Sequence, residues 1–291
     1  MKNTACPLCS KQENEKCFSE RNHDVLACKN CGLFFIHPYG NDVHKKVSTY
    51  DYDNLEILDP AKHHVSSKSY YKKKYISYIR SECATAQSIL DVGCGTGSLL
   101  ELLYDENSNI QSVGIELNTE RAEFAKRVSN CEIYQVPIEQ FTYDSKFDVI
   151  TMINVLSHIP SIDNLFTSIR NLLAPDGKLI LKVGEMAADV KKDAVFDWGI
   201  PDHLHFLGID TIQFICSKYG FKIIRHERQP LSADLFSFSR WLTPGRSPIR
   251  NIVKRVVALT PFALLILRTL YDIRHGKEIY SSFIVISPAH K

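Results

Sequence analysis

Residues 89–97 read ILDVGCGTG, an apolar strand pattern that runs into a turn rich in glycine, and a helical pattern follows over 98–104. Glycine lacks a Cβ atom, so the turn can take positive φ and present backbone N–H groups to a ligand at the start of the helix. The spacing is G-x-G-x-G with an acid two residues ahead, whereas dinucleotide folds use G-x-G-x-x-G to approach a pyrophosphate. The turn therefore predicts a nucleoside ligand without phosphates.

The longer run ILDVGCGTGSLLELL, residues 89–103, resembles motif I of the class I S-adenosylmethionine (SAM) methyltransferases. Residues 147–158 resemble the fourth strand of that family with its exit loop, and 172–180 resemble the turn into the fifth strand. The resemblance covers residues 70–230. It implies a Rossmann-like α/β fold with a seven-stranded, mainly parallel sheet and an antiparallel edge strand, and it implies SAM-dependent methyl transfer.

Several strand ends supply candidate contacts for SAM. Glu116 follows the strand after the glycine turn, where an acid can accept both ribose hydroxyls, as it does in the family. The family places an acid for the adenine amino group after the third strand, but here Pro137 stands there. The Ile138 N–H can still contact adenine, and Glu139 or Gln140 is expected to supply the acceptor. The full predicted set is Asp91, Gly93, Gly95, Gly97, Glu116, Ile138, Glu139 and Asn154.

Four cysteines form two Cys-x-x-Cys pairs that eighteen residues separate: Cys6 with Cys9, and Cys28 with Cys31. Two such turns close a tetrahedral site of four thiolates, which is the spacing of a zinc ribbon. A closed site of this kind predicts a structural zinc ion rather than a catalytic one. A redox pair or an iron site are the competing interpretations.

A zinc ribbon before this core narrows the resemblance to a methyltransferase subgroup of bacterial sugar, polysaccharide and natural-product pathways. In that subgroup the ribbon ends in a strand rich in phenylalanine followed by proline, which residues 34–38, FFIHP, match. A linker with tyrosines then approaches the cofactor, and Tyr50, Asp51 and Tyr52 occupy that place. They are expected either to close over the methionine end of SAM or to pack on the core as ordinary linker aromatics.

Length and composition agree with a soluble enzyme that has one large domain and an attachment. The 291 residues carry a net charge of +2 and a sequence pI near 8.0. This balance gives no electrostatic case for nucleic acid as a partner. Nine cysteines and polar residues at the start, where a signal peptide would be apolar, favour a reducing, cytoplasmic location.

Histidines are the candidate general bases, because their ordinary pKa near 6.5 suits proton transfer at neutral pH. His203 and His205 alternate in an extended segment and should project to one side, where the family carries a similar H-x-H-F run opposite the methyl donor. His158 follows the fourth strand and is the second candidate, with helix-start packing as its alternative role. Glu185, after the fifth strand, is expected either to orient a histidine or to be exposed.

The C-terminal part departs from a minimal core. Residues 231–277 form an insertion before a last apolar strand, 282–286, which is expected to be the antiparallel edge strand. Within the insertion, the apolar run 256–267 contains a proline and is too short to span a bilayer. A helical lid that buries this run against the sheet or in a homodimer is favoured, and peripheral membrane contact through 246–277, or receipt of a lipid-linked substrate there, is the alternative.

These patterns predict five segments: a zinc ribbon (1–40), a linker over the cofactor site (41–68), a SAM-binding core (69–230), the helical insertion (231–277) and a final core strand (278–291). Within the core, 69–83 is expected to form one amphipathic helix. The expected reaction moves a methyl group from SAM to a small-molecule or carrier-bound acceptor. A ribosomal RNA methyltransferase and a catalytically silent SAM-binding protein are the alternatives.

Overall fold

A computed structural model describes residues 4–38, 59–187, 190, 192–194, 198–242, 248–275 and 279–289. The strands are β1 (Asn14–Glu20), β2 (His23–Cys28), β3 (Phe34–His37), β4 (Ser88–Val92), β5 (Gln111–Ile115), β6 (Glu132–Tyr134), β7 (Phe147–Ile153), β8 (Leu173–Met186), β9 (His205–Gly208), β10 (Phe221–Pro230) and β11 (Ile279–Pro288). The helices are α1 (Pro60–Lys74), α2 (Ile76–Cys83), α3 (Ser98–Tyr104), α4 (Thr119–Val128), α5 (Ile162–Leu172), α6 (Thr211–Tyr219), α7 (Leu231–Leu235), α8 (Phe238–Leu242), α9 (Pro248–Leu259) and α10 (Ala263–His275).

Seven of these strands form the core sheet in the order β6, β5, β4, β7, β8, β11, β10. The central strand β4 is parallel to both neighbours and every residue in it is buried, which is why SILDV lacks a polar-apolar alternation. This sheet confirms the predicted fold class, a Rossmann-like α/β fold with a seven-stranded, mainly parallel sheet. The antiparallel strand differs in position, because β11 pairs with both β8 and β10 and so leaves β10 at the edge.

Helices cover both faces of this sheet through apolar stripes. The α5 helix begins after Ser161, whose hydroxyl accepts a hydrogen bond from the Asn164 N–H at 3.3 Å. It then buries Ile162, Leu165 and Phe166 against one face. On the other face, α2 and α3 bury their apolar residues in a second cluster.

The segment before the glycine turn folds differently from the single helix expected over 69–83. It forms two helices that meet at Tyr75, and the first of them begins nine residues earlier than expected. Asp59 starts α1 by accepting hydrogen bonds from the N–H groups of Ala61 and Lys62, and Pro60 fits the first helical position. Nine residues of the expected linker, 60–68, are thus helical, while Tyr50, Asp51 and Tyr52 lie outside the described residues.

The N-terminal strands do not form a separate body. Strands β1, β2 and β3 make an antiparallel meander, and β3 then pairs with β9. Strand β9 runs parallel to the carboxyl end of β8, where Glu185 lies opposite Leu207. The N-terminal sheet is therefore joined to the core beside the strand end at which ligands bind in such sheets.

The insertion between β10 and β11 contains α7 to α10, which pack mainly on one another and on the ends of those two strands. The apolar run 256–267 is largely exposed and is not buried against the sheet in the described part of the chain. Among the described helices, none is by itself long and apolar enough to cross a membrane. Asn251–Leu259 and Ala263–His275 pass that test only as a pair bent by 100°.

Candidate active site

A cavity of about 460 Å³ opens at the carboxyl ends of β4, β5 and β7, beneath α1. Its volume is in the range that accommodates a drug-sized or cofactor-sized ligand. Most of the predicted cofactor residues lie in its wall, namely Gly93, Gly95, Glu116, Ile138, Glu139 and Asn154. The cavity therefore brings together residues from four separate strand ends.

The glycine turn meets the requirement for positive φ at all three glycines, with values of 71° at Gly93, 56° at Gly95 and 77° at Gly97. A Cβ on Gly93 would fall 2.5 Å from a methyl carbon of Val155, so no larger residue fits there. A Cβ on Gly95 would meet no described atom within 4 Å except one carbon of His63, at 3.8 Å. The space over Gly95 is thus open for a ligand to lie against the backbone.

Glu116 lies between the turn and the cavity and is 8% exposed. One carboxylate oxygen accepts a hydrogen bond from the Gly95 N–H at 2.9 Å, and the other accepts from the Asn118 N–H at 2.8 Å. These bonds fix the carboxylate while each oxygen keeps a further lone pair. A pair of ribose hydroxyls suits this arrangement.

Two predicted contacts lie behind the cavity wall rather than in it. Asp91 is buried and accepts a hydrogen bond from the Thr151 hydroxyl at 2.6 Å, which links β4 to β7. Burial raises the pKa of Asp91 to about 7, because the charged carboxylate loses its hydration. Gly97 lies directly before α3 and approaches the side chains of α4. Both residues shape the turn without reaching the ligand space.

The end of the third core strand supplies the cavity wall where adenine is expected. Pro137 precedes a 3-10 turn, Ile138–Gln140, and the side chain of Ile138 is buried. Glu139 lies in the wall, whereas Gln140 is exposed outside it. Of the two acceptors predicted in place of the usual acid, Glu139 is the one that lines this cavity.

His158 lies in the cavity wall beside Asn154. Its Nδ1 is 3.1 Å from the carbonyl oxygen of Asp202, which can only accept, so Nδ1 carries the proton and Nε2 keeps a lone pair. Burial lowers the pKa of His158, because the protein replaces the water that would solvate the imidazolium. The ring is therefore a neutral base at physiological pH.

His203 and His205 gather behind His158 and are not in the cavity wall as the described residues form it. The His203 ring packs edge-on against His158 with centroids 4.6 Å apart. His205 is 1% exposed and lies opposite Phe35 in the sheet. Burial lowers the pKa of His205 to about 3. His203 and His205 lie close to the acceptor wall. Of the three candidate histidines, His158 is the one that lines the cavity formed by the described residues.

Helix α1 contributes wall residues that the sequence interpretation missed. His63, Ser67 and Tyr71 line the cavity, and their spacing of four residues places them on one face of the helix. Burial, aided by the charge of Arg121, lowers the pKa of His63 to about 4, and burial raises the pKa of Tyr71 well above its ordinary value. A search for polar side chains at helical spacing would have found this face.

His64 of α1 connects this helix to the glycine turn and to α3. His64 lies with Nδ1 3.0 Å from the carbonyl oxygen of Thr96 and with Nε2 2.8 Å from a carboxylate oxygen of Glu101. Lys68 approaches the same carboxylate at 2.7 Å. The roof of the cavity is thereby tied to both the turn and α3.

The four cysteines of the N-terminal sheet form a second site. Their sulfur atoms all lie within 4.8 Å of one another, with 3.6 Å between Cys6 and Cys31 and 3.5 Å between Cys9 and Cys28. A tetrahedral zinc ion with bonds of about 2.3 Å needs sulfur separations of about 3.8 Å. The donor set and its spacing fit zinc, and four ligands leave no open position for a substrate.

From the sequence, Glu185 is a candidate to orient one of the candidate bases, but its partners are residues of the neighbouring strands β10 and β11. Its side chain is fully buried, accepts a hydrogen bond from the Ser282 hydroxyl at 2.6 Å and pairs with Arg228 at 2.8 Å. The histidine beside it is His226 on β10, at 3.1 Å. Glu185 therefore holds β8, β10 and β11 together.

Comparison with known proteins defines the class to which this site belongs. A family model described as a methyltransferase domain matches residues 62–226, more than half of the chain. The chain belongs to this family. The match confirms the predicted resemblance to the methyltransferase family.

Two curated relatives give the level of similarity. A ubiquinone biosynthesis O-methyltransferase of Actinobacillus pleuropneumoniae is 34% identical over 104 residues, which cover 32% of this chain and 44% of that protein. A dTDP-4-amino-2,3,4,6-tetradeoxy-D-glucose N,N-dimethyltransferase of Saccharopolyspora spinosa is 31% identical over 142 residues, 46% of this chain and 56% of that one. The matches thus span about half of each relative's length.

A solved structure confirms the fold. Geranyl diphosphate C-methyltransferase from Streptomyces coelicolor A3(2), in complex with Mg²⁺, geranyl diphosphate and S-adenosyl-L-homocysteine, superposes with a TM-score of 0.59. The superposition covers 87% of this chain and 99% of that one, at 12% sequence identity. The α/β architecture is therefore shared well beyond detectable sequence similarity.

Proposed function

We propose that this protein transfers a methyl group from SAM to a small acceptor, free or linked to a carrier or lipid, in a sugar, polysaccharide or natural-product pathway. The carrying observation is one cavity with the glycine turn and Glu116 on one side and His158 on another. We also propose a cytoplasmic location, because four cysteines that hold zinc must stay reduced.

The cofactor side of the cavity presents groups that suit a nucleoside. The open space over Gly95 receives the ligand against the backbone, and the fixed carboxylate of Glu116 accepts the ribose hydroxyls. Glu139 offers an acceptor near the adenine amino group. When bound, SAM supplies a methyl group that its sulfonium makes electrophilic.

The acceptor side needs a base if the attacking oxygen or nitrogen carries a proton that must leave. His158 can take that proton on Nε2, since its Nδ1–H stays bonded to the Asp202 carbonyl. The edge contact of His203 holds the ring in this orientation, so we give His203 a positioning role. Binding both reactants in one cavity sets the distance between the reacting atoms, which supplies most of the rate in such a transfer.

Relatives support an acceptor of small size. The two named above are called a ubiquinone biosynthesis O-methyltransferase and a deoxysugar N,N-dimethyltransferase, and the latter favours a sugar pathway for this chain. The ribosomal RNA alternative asks for a basic surface along a phosphate backbone. A net charge of +2 over 291 residues gives that alternative no support.

Calorimetry with SAM and S-adenosylhomocysteine tests the first half of the proposal. Binding of both ligands is expected, and failure to bind either would overturn it. Transfer of a labelled methyl group to nucleotide sugars, lipid-linked sugars and quinone precursors tests the second half. Binding without transfer to any acceptor in a broad panel would favour the catalytically silent alternative.

A matched pair of variants tests the base. His158→Asn keeps a donor toward the Asp202 carbonyl but removes Nε2, so turnover should fall at least about a hundredfold while SAM affinity is retained. His203→Asn should lower turnover less, because it removes a packing contact and leaves the base. Undiminished turnover in His158→Asn would remove this residue from the mechanism.

A further inference from the structure

The outward face of α9 is apolar. Ile249, Ile252, Val253, Val256 and Leu259 recur every three or four residues, so they form one stripe, and each is between 55% and 76% exposed. The face turned toward the rest of the insertion carries smaller or polar residues, including the buried Ala258. A surface helix of a globular protein normally has the reverse arrangement.

The following helix repeats this inversion. Phe262, just before α10, starts a stripe that continues along the helix at the same spacing, and its members are 56% to 76% exposed: Phe262, Leu265, Ile266, Leu270 and Ile273. Its inner face carries an ion pair between Arg268 and Asp272 and a ring contact between Tyr271 and Phe236 at 5.5 Å. Large apolar groups thus face outward on both helices, and the less exposed side of α10 carries Leu264 and Leu267 besides the ion pair.

The corner between the two helices holds a bulky residue in a costly conformation. Phe262 has φ of 62°, in the left-handed region that residues with a side chain avoid, and its ring is 74% exposed. Burial within the described part of the chain does not compensate for this strain. The conformation places the ring at the outermost point of the bend, between the two apolar stripes.

Charge gives the chemistry of what covers this surface. Residues 248–275 contain five basic side chains against one acidic side chain, a net charge of +4 with histidine neutral. The basic residues are Arg250, Lys254, Arg255, Arg268 and Arg274. Two of them form ion pairs, Arg268 with Asp272 and Arg274 with Asp193, but the segment keeps a net positive charge, and apposing it with its own copy would bring two such charges together. An anionic partner is complementary to it.

The surface also lies at a defined place in the fold. Strand β10 ends at Pro230, and β11 pairs with the carboxyl end of β8 through Ile279 and Met186. The insertion therefore emerges at the sheet edge where the cavity opens. Arg274 of α10 pairs with Asp193, after β8, at 2.6 Å, which ties α10 to this edge.

We propose that the outer face of α9 and α10 docks on an anionic lipid bilayer. The apolar stripes and Phe262 enter the boundary between headgroups and acyl chains, and the net positive charge of the segment, with Arg255 exposed beside the α9 stripe, attracts the anionic headgroups. Both helices lie in the membrane plane, because each is shorter than the roughly twenty residues that a span needs. Docking brings the cavity edge to the bilayer, where a lipid-linked acceptor can reach it. This last clause rests on the proposed function, whereas docking itself does not.

Co-sedimentation of the full chain with vesicles tests the proposal. Vesicles of equimolar phosphatidylcholine and phosphatidylglycerol should bind the protein at least about tenfold more tightly than vesicles of phosphatidylcholine alone, since each basic residue near an anionic surface contributes about fivefold. The double variant Leu265→Ser, Ile266→Ser should lose at least about tenfold of that binding. The matched control, Ile224→Ser on β10, removes a side chain that is 49% exposed away from this surface and should bind as the original does.

Affinity for S-adenosylhomocysteine and thermal stability, measured on each variant, show that it folds. Weak sedimentation of the original protein with both vesicles would overturn the proposal, and so would equal sedimentation of the double variant. Sedimentation velocity tests whether the surface binds a second copy of the chain instead. That assignment would follow if the original protein is a dimer that binds no lipid and the double variant is a monomer. None of these readouts uses methyl transfer, so their failure is distinguishable from failure of the proposed reaction.

Discussion

Acidification should destabilise this protein through His205, which is neutral and buried where the N-terminal sheet meets the core. Burial lowers its pKa from the ordinary 6.5 to about 3 in the folded chain, so unfolding takes up a proton at any pH between these values. The contribution of the neutral His205 to the free energy of unfolding is therefore fully present above pH 6.5 and is lost as the pH falls below that value. At about 1.4 kcal/mol per pH unit, the loss reaches about 2 kcal/mol at about pH 5.

The variant His205→Gln isolates this contribution, because glutamine has a similar length and does not titrate. Melting temperatures of both proteins are compared at about pH 7 and about pH 5 in buffered zinc. The original should lose about 4–8 °C more than the variant over this interval, from the usual 2–4 °C per kcal/mol for a chain of this size. Zinc release in acid affects both proteins alike and so cancels in the difference.

His23→Gln is the matched control, since His23 is the first residue of β2 and is only partly buried. It should lose stability in acid as the original does. Equal pH dependence in the original and in His205→Gln would refute the reasoning, because it would mean that the buried ring does not resist protonation.

Three further outcomes follow from the site. Glu116→Gln should weaken binding of S-adenosylhomocysteine about tenfold to a hundredfold in calorimetry, because a charged acceptor of two hydroxyls is lost, and equal affinity would contradict its ribose role. Gly93→Ala should lower the free energy of unfolding by about 2–4 kcal/mol in denaturant titrations, through its positive φ and the contact with Val155, whereas Gly95→Ala should chiefly weaken ligand binding. Cys28→Ser should abolish zinc binding, as measured by elemental analysis, and should lower turnover more than it lowers SAM affinity. Unchanged zinc content would exclude the four-sulfur site.

The cofactor side of the site could be predicted from sequence because each of its residues lies at or just after the end of a strand, where local patterns identify it. The turn around Gly95 needs a local conformation that glycine alone allows, and Glu116 comes at the end of the next parallel strand. Parallel strands end at a common edge, so the order of strands carries each of these residues to one cleft. Helical spacing would have added the α1 face by the same local reasoning.

The acceptor side could not be resolved in this way, because it depends on pairing between distant segments. An alternating pattern placed His203 and His205 on one side of an extended segment, but pattern cannot say what that side faces. The answer comes from β3, which pairs with β9 and surrounds His205 with protein. His158, near in space but 45 residues earlier in the chain than His203, lies in the cavity wall instead.

The same pairing gives the zinc ribbon a part in positioning the acceptor wall. Phe35 follows the last cysteine by four residues and lies opposite His205 on β9. The Leu204 N–H donates a hydrogen bond to the carbonyl oxygen of Ser157 at 2.8 Å, directly before His158. A chain of backbone bonds therefore runs from the cysteine cluster through β3 and β9 to the candidate base. Because the turn around Gly95 lies on strands outside this chain, zinc can stabilise the acceptor wall while the cofactor side depends on the parallel core alone.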